Sequence, residues 1–382
     1  MKHPGTTRKW KMAHTGSRDK KTFYFISEIL PDNARTGGEI VLHRHFVQHN
    51  NFNFRVIHLP ITTNALFGKM ERSRWRSYIK AFRRWYEHFD LSVIQDLPKP
   101  SFIVTVAHDR ECMAAMRAAE YWDVPLVTFF HDWYPASSGV HPLLQFLADS
   151  EFRTLYRKST LALCVSTEMM QALGPHPNAI VLPPIPSGGE ISPGPASIRP
   201  VPNILYAGFC GGAYFHMLKQ CMEACSNTEA RMTIVGMDAG ALGSSTSKVS
   251  VLGFLDDPAF KGVFEEADIL MVLLNFDERN KKHFSTHFPS KLVEYCGKGK
   301  LIGILGPSYS TSVRWAESTG AAFAYTQNDP ALFISKLLEV YQDAELRTTF
   351  ISNALRLFRE EFSPELVHQT LVSKIAILLE KE

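Results

Sequence analysis

The sequence predicts an α/β protein of two domains, each built on a parallel β-sheet. Apolar runs of strand length alternate with helix-length segments along most of the chain, which is the pattern of parallel sheets covered by helices. The 382 residues are enough for two domains of ordinary size. The segment from Pro183 to Pro202 is rich in proline and glycine and cannot form a regular element. We therefore expect domains at residues 22–185 and 203–362, joined by a linker at 186–202.

Composition is that of an ordinary globular protein, with 45% hydrophobic and 21% charged residues. A net charge of +3 gives no reason to expect a nucleic-acid partner. The six cysteines have neither disulfide-framework nor metal-site spacing, so we expect reduced, buried thiols. Residues 1–21 are basic and lack the apolar middle of a secretion signal, which predicts a disordered arm. No apolar run reaches the roughly 18 residues that span a bilayer, and we expect a cytoplasmic protein.

The elements of the first half alternate in order. The expected strands are residues 22–27, 54–59, 101–107, 124–130, 161–165 and 179–182. The expected helices are residues 40–49, 69–89, 110–122, 142–158 and 168–173. The strands are largely apolar, as expected for strands buried on both faces. Gly37 and Gly38 stand between the first strand and its helix, where a glycine pair lets backbone approach a ligand, although such pairs also form plain turns.

The predicted helix at residues 69–89 has an unusual composition. Its aromatic residues recur at three- and four-residue steps, and its other faces are basic, including Arg72, Arg76, Lys80 and Arg83. One interpretation is a core-facing aromatic face with a solvated basic face. The other is a surface that binds anionic lipid or another polyanion, and the combination of Trp, Tyr and Arg slightly favours the lipid surface.

Two His-Asp pairs follow predicted strands of the first half. His131 and Asp132 come directly after the strand at 124–130, at the carboxyl end where α/β folds place ligands. His108 and Asp109 follow the preceding strand and are a weaker signal of the same kind. A buried structural histidine is the alternative interpretation of His131.

The second half begins a new α/β unit. Its expected strands are residues 203–207, 231–235, 249–252, 269–274, 301–305 and 322–325, and its expected helices include 258–266 and 363–382. Gly208, Gly211 and Gly212 follow the first of these strands. Their spacing differs from that of the dinucleotide fingerprint, but a glycine-rich phosphate loop is a reasonable interpretation.

The most informative stretch is residues 288–302. Pro289 and Ser290 suit the start of a short helix, and Gly297 and Gly299 end it before a buried apolar strand. Lys291 is unfavourable in a first helical turn, which indicates that it serves a negatively charged ligand. The carboxylate of Glu294, one turn later, can accept hydrogen bonds from vicinal hydroxyls. The alternative is an ordinary strand-helix-strand unit with a surface lysine.

This stretch also resembles a known motif. Residues 289–295 (PSKLVEY) and 299–301 (GKL) are similar to the donor-site signature of the retaining GT-B glycosyltransferases, family 4 and its relatives. The resemblance extends from Thr22 onward in motif order. It implies two Rossmann-like domains whose parallel sheets face a central cleft, and a terminal helix at 363–382 that crosses back to the N-terminal domain.

The resemblance also implies an activity and a set of site residues. It implies transfer of a sugar, with retention, from a nucleoside-diphosphate sugar to a glycan or lipid-linked acceptor, as in the assembly of bacterial surface polysaccharides and glycolipids. No cofactor and no bound metal are expected. The nucleotide-sugar site would comprise Gly37, Gly38, Gly208, Gly211, Gly212, Gly253, Phe254, Ser290, Lys291, Leu292 and Glu294. His131, Asp132 and Lys291 would be catalytic, with His131 near the transferred sugar. His108 and Asp109 would line the acceptor side.

The sequence departs from the family pattern at two positions. Phe209 stands where relatives carry an arginine, and the nearest later lysine, Lys219, is distant. Thr286 stands where many relatives have the first of two glutamates. These departures leave Lys291 as the main cation for the leaving diphosphate. They keep two alternatives open: an epimerase or phosphorylase on the same fold, and a non-catalytic scaffold.

Overall fold

The computed structural model describes residues 22–32, 36–49, 52–63, 65–70, 73–187, 198–236, 238–253, 255 and 257–380. Its strands are β1 (Thr22–Phe25), β2 (Asn53–Val56), β3 (Ile61–Thr63), β4 (Glu87–Phe89), β5 (Ile103–Val106), β6 (Leu126–Phe130), β7 (Leu161–Cys164), β8 (Ala179–Val181), β9 (Asn203–Ala207), β10 (Arg231–Val235), β11 (Val249–Leu252), β12 (Ile269–Leu273), β13 (Leu301–Leu305) and β14 (Phe323–Tyr325).

The helices connect these strands. They are α1 (Gly37–His43), α2 (Ala65–Met70), α3 (Arg76–Lys80), α4 (Arg83–Tyr86), α5 (Glu111–Trp122), α6 (Tyr134–Ser137), α7 (Gln145–Lys158), α8 (Thr167–Leu173), α9 (Ala213–Ser226), α10 (Asp257–Glu266), α11 (Lys281–Phe284), α12 (Ser290–Cys296), α13 (Thr311–Thr319), α14 (Pro330–Gln342), α15 (Ala344–Leu357) and α16 (Pro364–Glu380). Short π-helical segments, Arg44–Gln48 and Phe358–Phe362, extend α1 and α15.

The described residues form two six-stranded sheets, and every pairing within them is parallel. The first has the order β2-β1-β5-β6-β7-β8 and the second β11-β10-β9-β12-β13-β14. The central strands β6, β12 and β13 are buried at every position, because helices cover both faces. The predicted α/β class, with two parallel sheets, is confirmed. Since parallel strands end at the same sheet edge, the loops after β1, β5 and β6 lie together, as do those after β9, β12 and β13.

The apolar core joins both halves of the chain. One cluster of buried residues includes β1 residues such as Tyr24 and second-half residues such as Leu292. The last helix, α16, contributes Val367, Leu371 and Ile375 to a cluster that also contains Phe23 and other first-sheet residues. The C-terminal helix therefore packs against the first sheet.

The predicted single helix at residues 69–89 is wrong. The chain forms the separate short helices α2, α3 and α4, and residues 87–89 form strand β4, which pairs antiparallel with β3. The backbone turns at Ala81 and Phe82 close on carbonyls three residues back, which is a tighter turn than an α-helix makes. Buried Glu87 accepts a 2.6 Å hydrogen bond from Arg110, so a tertiary contact draws the end of the segment into a strand. The helical periodicity of residues 69–89 is therefore outweighed by the pairing of β4 with β3 and by the contact of Glu87 with Arg110.

Several predictions concern residues outside the described ranges. These are the arm at residues 1–21, Arg72, Phe254 and most of the linker, residues 188–197. The six cysteines are all free and buried, as the sequence predicts. Within the described ranges, no helix has both the length and the apolar character needed to cross a membrane.

Candidate active site

Lys291 is the centre of the candidate site. Its ammonium lies 4.7 Å from the centroid of the Tyr206 ring, and a β-carbon added to Gly208 would lie 2.6 Å from Nζ. A side chain at position 208 would displace the ammonium from this position, and the φ of +153° at Gly208 also favours glycine. Burial lowers the pKa of Lys291 to about 8. In the described part of the chain, no carboxylate pairs with this ammonium, so the site holds a cation ready for an anionic ligand.

The glycine loop of the first half faces the start of α12. Thr36 and Glu39 form a capping box that begins α1 at Gly37, three residues before the predicted start. A β-carbon on Gly37 would lie 3.3 Å from Oγ of Ser290, and one on Gly38 would lie 3.9 Å from Nδ1 of His131. The structure thus brings the glycine pair, Ser290 and His131 together across the two halves.

Glu294 is held by groups from three parts of the chain. Its Oε2 accepts hydrogen bonds from Arg44 at 3.1 Å and from the main-chain N–H of Ser187 at 2.7 Å. Its Oε1 accepts a bond from the Ser187 hydroxyl and lies 3.2 Å from Nζ of Lys298. Burial raises the pKa of Glu294, but Arg44, Lys298 and Ser187 outweigh it and hold the pKa below its usual value. The carboxylate is ionised, and hydroxyl and N–H donors converge on it.

Asp132 meets two histidines from the second half. Its Oδ1 lies 2.8 Å from Nδ1 of His287 and 3.9 Å from Nδ1 of His283. The contact with His287 lacks hydrogen-bond geometry, and this buried oxygen has no hydrogen-bond partner within the described residues. Burial raises the pKa of Asp132, but the neighbouring imidazoles, that of His287 most of all and then those of His283 and His131, outweigh burial and keep the pKa low. Asp132 is therefore ionised at neutral pH.

His131 is neutral at physiological pH. Burial is the largest effect and lowers its pKa to about 4, against the opposing attraction of Asp132. A neutral imidazole offers one hydrogen-bond donor and one acceptor, which suits a sugar hydroxyl. His131 thus presents a polar but uncharged group beside the glycine loop.

His108 and Asp109 lie in a separate hydrogen-bonded network. His108 pairs with Glu28 at 2.8 Å, and its ring lies 4.6 Å from that of Tyr134. Asp109 accepts hydrogen bonds from Arg83 at 2.9 Å and from the Tyr134 hydroxyl at 3.1 Å. Both residues follow β5, but their partners differ from those of His131 and Asp132.

Of the residues predicted to form a basic surface, some make contacts within the protein and others are exposed to solvent. Arg83 is only 18% exposed and forms ion pairs with Glu87 and Asp109, and Lys80 donates to the carbonyl of Ser138. Arg76 is exposed. The outward-facing arginines also include Arg74 and Arg84, which sequence analysis did not single out, and which lie over the rings of Trp75 and Trp85.

The remaining predicted residues have varied surroundings. Gly211 and Gly212 precede α9, whereas a β-carbon on Gly253 would have no neighbour within 4 Å among the described residues. The Leu292 side chain is fully buried, and its N–H donates to the carbonyl of Pro289. Phe209 is 45% exposed. Thr286 is buried, and its hydroxyl donates to the preceding turn, so it does not substitute for a glutamate.

Sequence reasoning missed Arg44, Ser187, His283 and His287. The two histidines stand four residues apart, a spacing that places side chains on one helical face and was a usable signal. Arg44 and Ser187 reach Glu294 from 250 and 107 positions away, and no local pattern marks them.

Sequence comparison gives no relatives, since no protein-family model and no curated protein match the chain. Solved structures do match. The chain is similar to Anabaena HepE, solved with UDP and glucose, at a TM-score of 0.60 and 14% identity, covering 94% of this chain and 99% of that one. It is similar to a glycosyltransferase from Rickettsia africae at a TM-score of 0.64 and 12% identity, covering 95% and 100%.

Sucrose-phosphate synthase from Thermosynechococcus elongatus gives a TM-score of 0.64 at 10% identity, over 95% of this chain and 100% of that one. Both halves of the molecule are therefore matched in one superposition, with the sheets and the cleft between them. At these identities the likeness defines the architecture of the chain. The protein has the GT-B fold.

Proposed function

We propose that this protein is a glycosyltransferase that moves a hexose-type sugar from a nucleoside diphosphate to an acceptor hydroxyl, with retention of configuration. The observation that carries the proposal is the ammonium of Lys291, which lies against Gly208 and has no carboxylate partner among the residues that the structure describes. A cation in this position suits a diphosphate, and the similar Anabaena HepE, solved with UDP and glucose, supports a nucleotide ligand.

The proposed chemistry follows from charge. As the bond from sugar to phosphate breaks, negative charge grows on the departing diphosphate. Lys291 and the backbone N–H groups near Gly37 and Ser290 stabilise this charge in a site screened from water. Neutral His131 contacts the transferred sugar, and a phosphate oxygen accepts the proton of the acceptor hydroxyl. No nucleophilic side chain is required.

Glu294 would hold the ribose. Its carboxylate already accepts an N–H and an O–H from Ser187, so its surroundings suit a pair of hydroxyl donors. The vicinal ribose hydroxyls would take the place of the Ser187 groups. Arg44 and Lys298 would keep the carboxylate ionised during this exchange.

The acceptor side has an exposed surface that fits an anionic membrane. Trp75 and Trp85 are 51% and 54% exposed, and each has an arginine over its ring. Exposed Leu143 and Phe146 are close by, because Tyr78 stacks on His141 at 4.0 Å. Exposed aromatic side chains with neighbouring arginines are typical of surfaces that bind the lipid interface. We therefore propose a lipid-linked acceptor of surface-glycan assembly, reached from the cytoplasmic side.

Vesicle co-sedimentation tests this membrane surface. Because Lys80 and Arg83 are turned inward, the informative variant reverses Arg74, Arg76 and Arg84 to glutamate. We expect it to lose binding to vesicles rich in anionic lipid, since each basic residue near the surface contributes about 1 kcal/mol. The matched control reverses Arg117, Arg157 and Arg231, which are exposed elsewhere on the molecule. Equal binding by both variants would contradict the surface.

The experiment for the function itself is a panel of nucleoside diphosphates followed by the corresponding nucleotide sugars. Binding to the native state raises the melting temperature, and turnover releases the free diphosphate. We expect stabilisation by one base and slow release of its diphosphate from one sugar nucleotide. Product analysis with the sugar nucleotide alone separates a transferase from an epimerase, which would convert the donor without an acceptor.

A non-catalytic scaffold is the second candidate. Phe209 and Thr286 favour it, because the family pattern has an arginine that would pair with a phosphate at the first position and a glutamate that would accept hydrogen bonds at the second. A scaffold would bind a nucleotide without turnover. The buried ammonium of Lys291 and the carboxylate of Glu294, which already accepts N–H and O–H donors, support the enzyme.

A further inference from the structure

Three side chains that the proposed chemistry does not fully use come together between the two halves. Asp132 follows β6 of the first sheet, and His283 and His287 lie at and just after α11 in the second half. One nitrogen from each histidine and one carboxylate oxygen lie within 4.8 Å of one another. We propose that Asp132, His283 and His287 form a binding site for a divalent transition-metal ion such as Zn²⁺.

The backbone fixes the two imidazoles in a ligating arrangement. The N–H of His287 donates to the carbonyl of His283 at 2.8 Å, which closes one helical turn between them. The rings are nearly parallel, with centroids 4.8 Å apart and 14° between their planes. Thr311 also donates to the carbonyl of His287 from α13. Histidines four residues apart on one helical face are a common metal-binding arrangement, because both rings point the same way.

The carboxylate supplies an independent observation. Oδ1 of Asp132 is buried and has no hydrogen-bond partner within the described residues, although Nδ1 of His287 is only 2.8 Å away. A buried oxygen without a hydrogen bond is costly, and a bound cation would satisfy it. Nitrogen and oxygen ligands at about 2.0–2.1 Å from one zinc ion, at adjacent positions, are themselves roughly 3 Å apart.

The chemical types of the three side chains suit a metal. Two imidazoles and one carboxylate are a set that zinc accepts, and it leaves a coordination position for water or a ligand oxygen.

This site goes beyond the proposed function and differs from the sequence expectation of no bound metal. Nδ1 of His287 also lies 3.4 Å from the carbonyl oxygen of His131, so the ion would stand beside the histidine that faces the glycine loop. Because the ligands come from both halves, a bound ion would join them at the cleft. Its test requires no sugar donor, so it stands or falls separately from the transferase proposal.

The test is a calorimetric titration of the EDTA-treated full chain with Zn²⁺, repeated with Co²⁺ to follow visible absorption. The variants are Asp132→Asn, His283→Ala and His287→Ala, and the matched control is His216→Ala, an exposed histidine on α9. A variant lacking His3 and His14 removes the histidines of residues 1–21. Melting curves identify any variant that fails to fold, and His283→Gln and His287→Gln then replace the alanine variants.

We expect one equivalent of Zn²⁺, a Co²⁺ spectrum typical of mixed nitrogen and oxygen ligands, and binding weakened by about 100-fold or more when any of the three side chains is changed. The control and the variant without His3 and His14 should bind as the wild type does. The proposal is overturned if the wild type takes up no stoichiometric Zn²⁺ at micromolar concentration. It is also overturned if any folded variant of the three ligands binds as tightly as His216→Ala.

Discussion

The main-chain N–H of Ser187 donates a 2.7 Å hydrogen bond to Oε2 of Glu294, while its hydroxyl donates to Oε1 of the same carboxylate. Ser187 lies just beyond the first sheet and Glu294 in α12 of the second half, 107 positions apart. One residue thus offers both oxygens of the carboxylate a donor. If Glu294 holds a ribose, a ligand must displace at least part of this contact.

The first prediction concerns Glu294→Gln. The amide keeps the size of the side chain but loses the charge that Arg44 and Lys298 stabilise. We expect affinity for the preferred nucleoside diphosphate to fall by about 1–3 kcal/mol, the contribution of a charged hydrogen bond. Calorimetry measures this, with exposed Glu265→Gln as the control. Unchanged affinity in a folded variant would remove Glu294 from the nucleotide site.

The second prediction concerns Ser187→Ala. This change removes the hydroxyl that competes with a ribose hydroxyl but keeps the backbone N–H. A net hydrogen bond contributes about 1 kcal/mol, so we expect the nucleotide to bind roughly 2- to 10-fold more tightly. Weaker binding would mean that Ser187 itself contacts the ligand. Ser226→Ala, on the exposed end of α9, is the control.

The third prediction concerns the charge of Lys291. Lys291→Ala should lower kcat more than it raises KM, because negative charge on the diphosphate is greatest in the transition state. Lys219→Ala, whose ammonium lies over the Phe215 ring, should leave both constants unchanged. A defect confined to KM would show that Lys291 only docks the diphosphate.

The fourth prediction is a pH dependence from the same residue. The cationic form of Lys291 predominates below its pKa of about 8. We therefore expect kcat/KM to fall as the pH rises through about 8. A bound diphosphate favours the cation, so the corresponding fall in kcat should lie at higher pH. Lys291→Arg should keep any residual activity constant through this range, because arginine stays charged. An identical fall in that variant would assign the titration to another group.

The fifth prediction concerns stability and the buried pair His45 and His368. Their Nδ1 atoms lie 3.3 Å apart, between the π-helical segment after α1 and α16. Burial lowers the pKa of His45 well below its usual range and that of His368 to about 4. The unfolded chain therefore binds more protons than the native state below about pH 6.5, and the free energy of unfolding falls as the pH drops from about 6.5 to 4.

The expected loss for His368 alone is about 2–3 kcal/mol across this range. Denaturant unfolding at several pH values measures it. His368→Phe should flatten the pH dependence, whereas exposed His88→Phe should not. An unchanged slope in the His368 variant would show that the pair does not control acid stability.

Much of the fold follows from local pattern. Strands β9, β10, β11 and β13 have the predicted bounds, because each is a short, mainly apolar or β-branched run between turn residues. The prediction of one helix at residues 69–89 is wrong because two tertiary contacts outweigh the helical periodicity. These contacts are the pairing of β3 with β4 and the hydrogen bond from Arg110 to Glu87. Neither partner lies close enough in sequence to leave a local signal.

In the candidate site, too, the sequence predicts some residues from a local motif and misses others that come together only on folding. The motif at residues 289–295 identified Lys291 and Glu294, since their spacing is local to one helix. The contact between Asp132 and His287 depends on how the two halves pack against each other, and no local sequence pattern predicts it. The hydrogen bond from Arg83 to Asp109 could not be predicted for the same reason.

The most direct test of the central claim is turnover of nucleotide sugars followed by mass spectrometry. The wild type, Lys291→Ala and Lys219→Ala are incubated with each sugar nucleotide in the presence of vesicles that carry lipid-linked acceptors. The account predicts release of one nucleoside diphosphate with transfer of its sugar, lost in Lys291→Ala and retained in Lys219→Ala. Turnover of no sugar nucleotide by the wild type, or equal turnover by the Lys291 variant, would contradict it.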